Sequence, residues 1–275
     1  MRIGKYEILP VLDGEMKAPG AAIYPKASPG YFESNSSLTD AEGRMTLALG
    51  GFLVRDGEER LILVDAGLGS FEMGGGRRPG GKLVESLAAI GVQVQDITDV
   101  VFSHLHLDHV GWASQDGKPV FANATYRCHQ HEWDYWISGP EEEMRGVSPD
   151  FVRQQKEAML PVTSRLEPWA GDGVLFPGIN LQTAPGHTPG STILVISDGT
   201  ERAVLLGDVA HSPVELLEEE WDGLGDVDPE LARRTRNKVA QQLEGSGDYI
   251  SGAHFPELAF GRLIKAEGRR QWVVV

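Results

Sequence analysis

The sequence predicts an α/β fold in which two β-sheets pack together with helices on their outer faces. Three observations carry this. Strand-like segments lead into a helical segment in the first half of the chain, and the same order returns in the second half. A short apolar strand also ends on a histidine-rich cluster, the end where α/β folds present their ligands.

Taken in order, Arg2 to Leu12, Thr46 to Val54 and Leu61 to Asp65 read as strands. Asp65-Ala66-Gly67 closes the third and opens a glycine-rich loop that runs to Gly81. Lys82 to Ile90 has helical spacing, with Leu83, Leu87 and Ile90 on one face and Gly91 as a stop. Asp99-Val100-Val101-Phe102-Ser103 is a buried strand. In the second half, Ser148-Pro149 starts a helix to about Met159, with serine as cap and proline in the first turn. Strands follow at Ile179 to Thr183, Ser191 to Ile196 and Ala203 to Leu206. Asp228-Pro229-Glu230 caps a helix to about Leu243, and Asp248 to Gly252 is a last short strand ahead of His254. No linker interrupts the series, so residues 1–275 are expected to form a single domain.

Charge and composition narrow the function classes. The chain has 25 basic and 40 acidic residues, a net charge of −15. Such a field repels phosphate backbones and anionic membrane surfaces, which leaves a small-molecule substrate as the expected partner. One cysteine, Cys128, excludes an internal disulfide and a multi-cysteine zinc site. The N-terminal residues lack the apolar run of a signal peptide, and no stretch approaches the ~18 apolar residues of a membrane span. The expected location is the cytoplasm.

The chemistry begins at His104-Leu105-His106-Leu107-Asp108-His109. Residues two apart in an extended segment share a face, so His104 and His106 can grip one cation together. Where the chain then turns helical, Asp108 and His109 swing aside and can hold a second. Imidazole nitrogen and carboxylate oxygen suit zinc, and two adjacent metals can activate water and stabilise attacking and leaving oxygens. Two metals need more ligands. His187 in Ala184-Pro185-Gly186-His187-Thr188-Pro189-Gly190, Asp208 after Val204-Leu205-Leu206-Gly207, and His254 in Gly252-Ala253-His254-Phe255-Pro256 each stand where a strand meets a loop. Glycine or proline beside each lets the backbone approach closely.

This pattern resembles the metallo-β-lactamase superfamily from about Thr46 to Phe260. The resemblance implies an αβ/βα sandwich of two mixed β-sheets flanked by helices, with a dinuclear site at one edge. It implies that His104, His106 and His187 bind one metal, that Asp108, His109 and His254 bind the other, and that Asp208 bridges them. A hydroxide between the metals would be the nucleophile. Asp65, in an Asp-x-Gly turn, would orient a ligating histidine or else cap the Gly67 to Gly69 turn. The metals are expected to be two divalent ions, zinc first, although the same donors accept manganese, cobalt or iron. A homodimer is implied by the resemblance alone.

Within the superfamily the residues discriminate. The commonest zinc β-lactamases carry cysteine where Asp208 stands, and the diiron oxidoreductases carry an acid where His106 stands. The segment after His254 is too short for the helical domain of the hydroxyacyl-glutathione hydrolases. The net charge opposes the RNA-grasping branch. The chain instead resembles the lactonase and organophosphate-hydrolase branch, through Asn123-Ala124-Thr125-Tyr126, Glu132-Trp133-Asp134-Tyr135-Trp136, Trp221 and Asp226-Val227-Asp228-Pro229. Hydrolysis of lactone, ester or phosphotriester substrates is the function implied. Arylsulfate or phosphodiester hydrolysis in the same scaffold, or a diiron-type oxidoreductase, is the alternative. Asp108 and Asp208 would serve catalysis as well as metal binding. His211 stands where the quorum-quenching lactonases have tyrosine. It is expected either to hydrogen-bond a substrate oxygen or protonate a leaving group, or to be a loop histidine without a direct role.

Other features read as structural. His129 and His131 are expected to make ordinary polar contacts at a strand-to-helix junction rather than a third metal site. Trp133, Tyr135 and Trp136 are read as core before pocket. Gly74 to Arg78 lacks the ending of a phosphate-binding loop and is read as a mobile loop over the site. Glu218 to Glu220 is read as solvated surface.

Overall fold

A computed structural model describes residues 1–72 and 79–275; the glycine-arginine segment read above as a mobile loop lies outside the described residues. Among these residues the strands are β1 (Arg2–Ile3), β2 (Tyr6–Pro19), β3 (Arg44–Arg55), β4 (Leu61–Val64), β5 (Asp99–Val101), the hairpin β6 (Ser114–Gln115) and β7 (Lys118–Pro119), and β8 (Thr125–Arg127). The second half adds β9 (Gly173–Phe176), β10 (Ile179–Thr183), β11 (Thr192–Ser197), β12 (Arg202–Leu205), β13 (Tyr249–Ser251), β14 (Gly261–Ala266) and β15 (Arg269–Val274). They form one sheet in the order β1-β2-β3-β4-β5-β8 and another in the order β15-β14-β13-β12-β11-β10-β9. Both are mixed: β4, β5 and β8 run parallel, as do β12 and β13, and the remaining neighbours are antiparallel.

The period-two alternation of the strands explains how the sheets pack. Phe52, Val54, Ile62, Val64 and Val101 face Ile179, Leu181, Leu194, Ile196 and Leu205 across one shared apolar layer. The alternate residues Leu53, Leu63 and Val100 face outward, against Leu83 and Leu87 of the helix Leu83–Ala89 and Val152 and Met159 of the helix Pro149–Met159. On the other sheet, Ile193, Val204 and Ile250 pack on Val239, Ala240 and Leu243 of the helix Pro229–Leu243. The helix–sheet–sheet–helix order is that of an αβ/βα sandwich. The expected caps are present: the Ser148 hydroxyl accepts from Phe151 N at 3.4 Å, and the Asp228 carboxylate from Leu231 N at 2.9 Å.

The structure extends the sequence reading in two places. β2 continues past Leu12 to Pro19 and stays paired with β3, with a register shift between Leu12 and Gly14. The segment after Phe260, left without an element, is the β14–β15 hairpin at the edge of the second sheet. Its turn places Glu267 and Gly268 at φ 52° and 76°, the positive pair that a tight hairpin turn demands. Glu218 is half-buried rather than simply solvated, because its carboxylate accepts from Tyr31 Oη at 2.8 Å. No helix among the described residues is long and apolar enough to cross a membrane.

Candidate metal centre

The histidine cluster starts at the third residue beyond β5, after Phe102 and Ser103. His104 stays extended, and His106 is the N-cap of a single helical turn, Leu107–Val110, that carries Asp108 and His109. The switch from extended chain to helix divides the four side chains between two directions. His187 follows β10 in a loop, Asp208 follows β12 and His254 follows β13. Strand ends from both sheets therefore meet at one edge of the sandwich.

Asp208 is the point of convergence. Its Oδ2 lies 3.9 Å from His104 Nε2, 3.4 Å from His109 Nε2, 3.5 Å from His187 Nε2 and 3.1 Å from His254 Nε2. His187 Nε2 also lies 2.9 Å from His106 Nδ1. Asp108 Oδ2 is 3.5 Å from His254 Nε2, and Asp108 Oδ1 is 3.9 Å from His109 Nε2. Four compact donor groups result among the described residues: His104 with His106 and His187, His104 with His109 and Asp208, Asp108 with His109 and His254, and His187 with Asp208 and His211. Every residue assigned to a ligand role from the sequence is thus in one cluster.

The donor set fits a pair of cations. Nε2 of His104, His106 and His109 and Oδ1 of Asp208 are buried with no hydrogen-bond partner. Each such orphan costs about 1–3 kcal/mol, which a bound cation would offset. All the histidines of the cluster are buried, and Asp108 alone among these donors is half-exposed. The centre therefore meets solvent beside Asp108. Leu107, next to Asp108 in the chain, packs with Leu49 and Leu68 in a buried apolar cluster, with Met16, Phe71 and Phe151 against it. A Cβ at Gly225 would lie 3.7 Å from both His106 and His187, so that stretch of chain covers the opposite side closely.

The outward nitrogens of the histidines are held by the protein. Asp65 accepts from Ser103 N and Ser103 Oγ, both at 2.8 Å, and its Oδ2 lies 3.0 Å from His109 Nδ1. Asp226 Oδ1 is 2.9 Å from His187 Nδ1, and the Ala48 carbonyl oxygen is 2.7 Å from His254 Nδ1. Such contacts fix the ring and its tautomer so that the other nitrogen faces inward. Asp65 thus orients a histidine, and the alternative capping role belongs to Asp13. The buried Asp13 carboxylate accepts from Leu68 N, Gly69 N, Gly81 N, Leu83 N and Trp112 Nε1 at 2.7–3.0 Å. Sequence reasoning missed Asp13, and it quoted Asp226 and Glu132 only within stretches that carry the resemblance, without a role. Glu132 is buried and accepts from Leu105 N at 2.9 Å and Gly190 N at 2.7 Å, joining the histidine cluster to the His187 loop. Burial raises its pKa against the pull of these donors.

Electrostatics divide the centre. Burial, then neighbouring histidines, hold His104 and His106 well below the ordinary imidazole range. Burial acts the same way on His109, but the carboxylates of Asp208 and Asp65 outweigh it and raise the pKa well above that range. His254 is raised against its burial, chiefly by Asp208. Burial disfavours the charge of Asp208, yet His254, His109 and His211 around it hold its carboxyl well below the usual carboxylate value.

His211 belongs to this cluster. Its Nε2 lies 3.3 Å from Asp208 Oδ2, and its ring stacks on His254 with 8° between the planes. His129 does not: its Nδ1 accepts from His131 N at 3.1 Å and its Nε2 lies 3.0 Å from Gly171 N, the expected junction contacts. Trp136 is core, fully buried, with its ring 5.0 Å from that of His106. Trp133 and Tyr135, both half-buried, pack against the same core.

Residues 51–254 match the family model of the metallo-beta-lactamase superfamily. The N-acyl homoserine lactonase AiiA of Bacillus thuringiensis subsp. kurstaki is 28% identical over 173 residues, 63% of this chain and 62% of its own length. The chain thus spans less than two thirds of the length of such curated relatives. The solved structure of AidC, a dizinc quorum-quenching lactonase in complex with a product, superposes with a TM-score of 0.87 at 27% identity, covering 99% of this chain and 95% of that one. AbOPH, a hydrolase in the beta lactamase superfamily, superposes with a TM-score of 0.86 at 25% identity, covering 100% and 96%.

Proposed function

The chain belongs to the metallo-beta-lactamase superfamily, and from that premise we propose that it is a two-zinc lactonase, with N-acyl homoserine lactones the first substrates to test. The observation that carries the reading is the convergence of the six donors on both sides of Asp208. Likeness to a dizinc lactonase over nearly the whole chain supports it. In this reading His104, His106 and His187 would hold one metal and Asp108, His109 and His254 the other, with Asp208 available to both.

When bound, the metal pair supplies Lewis acidity and a water whose pKa falls toward neutrality. The protein's own groups do the rest. Asp65, Asp226 and the Ala48 carbonyl hold the histidine rings with their inner nitrogens toward Asp208. Asp108, on the solvent-facing side, is placed to exchange a proton with the departing oxygen. His211 Nε2 faces the same centre and is placed to hydrogen-bond the substrate oxygen or its leaving oxygen. Activity on aryl esters and phosphotriesters is a finer part of the same proposal.

The test combines elemental analysis of freshly purified protein with chromogenic lactone, aryl ester, phosphotriester and sulfate substrates. Two zinc ions per chain with the highest kcat/KM on the lactone is the expected result. Iron with redox activity and no lactone hydrolysis would overturn the reading.

A further inference from the structure

His211 differs from the ligand histidines in the partner of its outer nitrogen. Its Nδ1 lies 3.3 Å from Glu215 Oε1, four residues on, and its backbone N–H donates to the same oxygen at 3.3 Å. Glu215 is 1% exposed. Tyr24 Oη donates to that Oε1 at 2.6 Å, and Arg236 Nη1 lies 3.5 Å from Oε2. Tyr24 packs on Trp221 with ring centroids 4.8 Å apart, while Arg236 Nη2 donates to the Trp221 carbonyl. The N-terminal segment that supplies Tyr24 lies outside the stretch matched by the family model.

A carboxylate kept only as the counter-ion of Arg236 would make its shortest contacts there. Instead the hydroxyl of Tyr24 and the two nitrogens of His211 all converge on Oε1, and Oε2 has no hydrogen-bond partner. Stacking on His254 sets the plane of the His211 ring, but a ring can still turn within that plane. The ring nitrogen Nδ1 approaches Glu215 Oε1 to 3.3 Å as an ion-pair contact rather than a closed hydrogen bond, and this attraction favours the orientation in which Nε2 faces Asp208. Asp226 and Asp65 stand in the corresponding place for His187 and His109, at the shorter, hydrogen-bonded distances of 2.9 and 3.0 Å.

We propose that Glu215, locked by Tyr24 and Arg236, is a positioning residue that aims His211 Nε2 at the reacting oxygen. The inference rests on the lactonase reading above, and its experiment keeps the two apart. In the two-zinc protein, Glu215→Gln is expected to lower lactone kcat about tenfold or more, in the range typical of such outer contacts. KM should move little, and two zinc ions should remain. Tyr24→Phe should act in the same direction with a smaller loss. Added to His211→Ala, Glu215→Gln should cost nothing further, because a residue acting through His211 has nothing left to act on. In histidine-labelled protein, the ¹⁵N signals of the His211 ring should move in both variants while those of His129 and His131 stay.

Unchanged kcat with an unmoved His211 signal would overturn the proposal. So would a full multiplicative loss in the His211→Ala background, which would mark Glu215 as merely structural. Should Glu215→Gln fail to fold, Tyr24→Phe decides by the same two readouts. Should the wild-type protein leave lactones intact, the functional reading fails alone and the His211 ring signals still decide this one.

Discussion

The two halves of the molecule contribute to the metal centre in opposite ways. The first half concentrates four donors in one loop, with a single carboxylate, Asp65, holding both Ser103 and His109. The second half spreads three donors over three strand ends, and His187 and His254 each have a separate outer partner, Asp226 and the Ala48 carbonyl. A concentrated set stands or falls with one support. A dispersed set can lose one support and keep the others, so equal substitutions should have unequal effects.

Asp208 belongs to both sets of contacts, so its removal should produce the largest effect. Asp208→Ala removes the oxygen around which four ligand nitrogens gather within 3.9 Å. The expected loss is about a thousandfold in kcat or more, since metal assistance is worth several kcal/mol. Elemental analysis should show fewer than two metals per chain. Full activity with two metals bound would break the assignment of Asp208 as the shared ligand.

The next pair tests the comparison itself. Asp65→Asn should lower activity toward the upper end of the 10–100-fold range expected for outer contacts, about a hundredfold, because it disturbs Ser103 and His109 together. Asp226→Asn loosens His187 alone and should cost about tenfold. Metal content measured alongside kcat would show the first variant losing occupancy more readily. Equal losses would mean that the halves do not differ in the way their contacts suggest.

How much of this was legible in the sequence follows from the same contrast. Four donors within six residues are visible to inspection, and their division by a strand-to-helix switch follows from local geometry. The helices at Pro149 and Pro229 were legible because cap, proline and apolar spacing agree. His187, Asp208 and His254 stood out mainly because glycine and proline flank them and a family pattern orders them. Of the supporting carboxylates, Asp65 was legible through its Asp-x-Gly turn, and the roles of the others were not. Asp13 and Glu215 look like any other acidic residue among forty, Glu132 and Asp226 stood out only as parts of family-like stretches, and each gains its role from a contact with a distant segment. The β14–β15 hairpin was obscured by charged residues on exposed positions, although Glu267-Gly268 is a turn signal that could have revealed it.

Glu132 offers the smallest effect on activity and the sharpest question about how the halves are joined. One carboxylate oxygen accepts from Leu105 in the histidine cluster, and the other from Gly190 in the His187 loop. A glutamine of the same shape has one acceptor oxygen, so its amide N–H₂ must face one of the two backbone N–H groups. That leaves a buried donor unsatisfied, at about 1–3 kcal/mol. None of the metal-facing atoms is touched. Glu132→Gln should therefore lower the midpoint of thermal unfolding while two metals remain bound and kcat changes less than in Asp226→Asn. A loss of metal with no loss of thermal stability would reverse the order: the carboxylate would then serve the centre directly, and the two halves would be joined by the metals rather than by the protein.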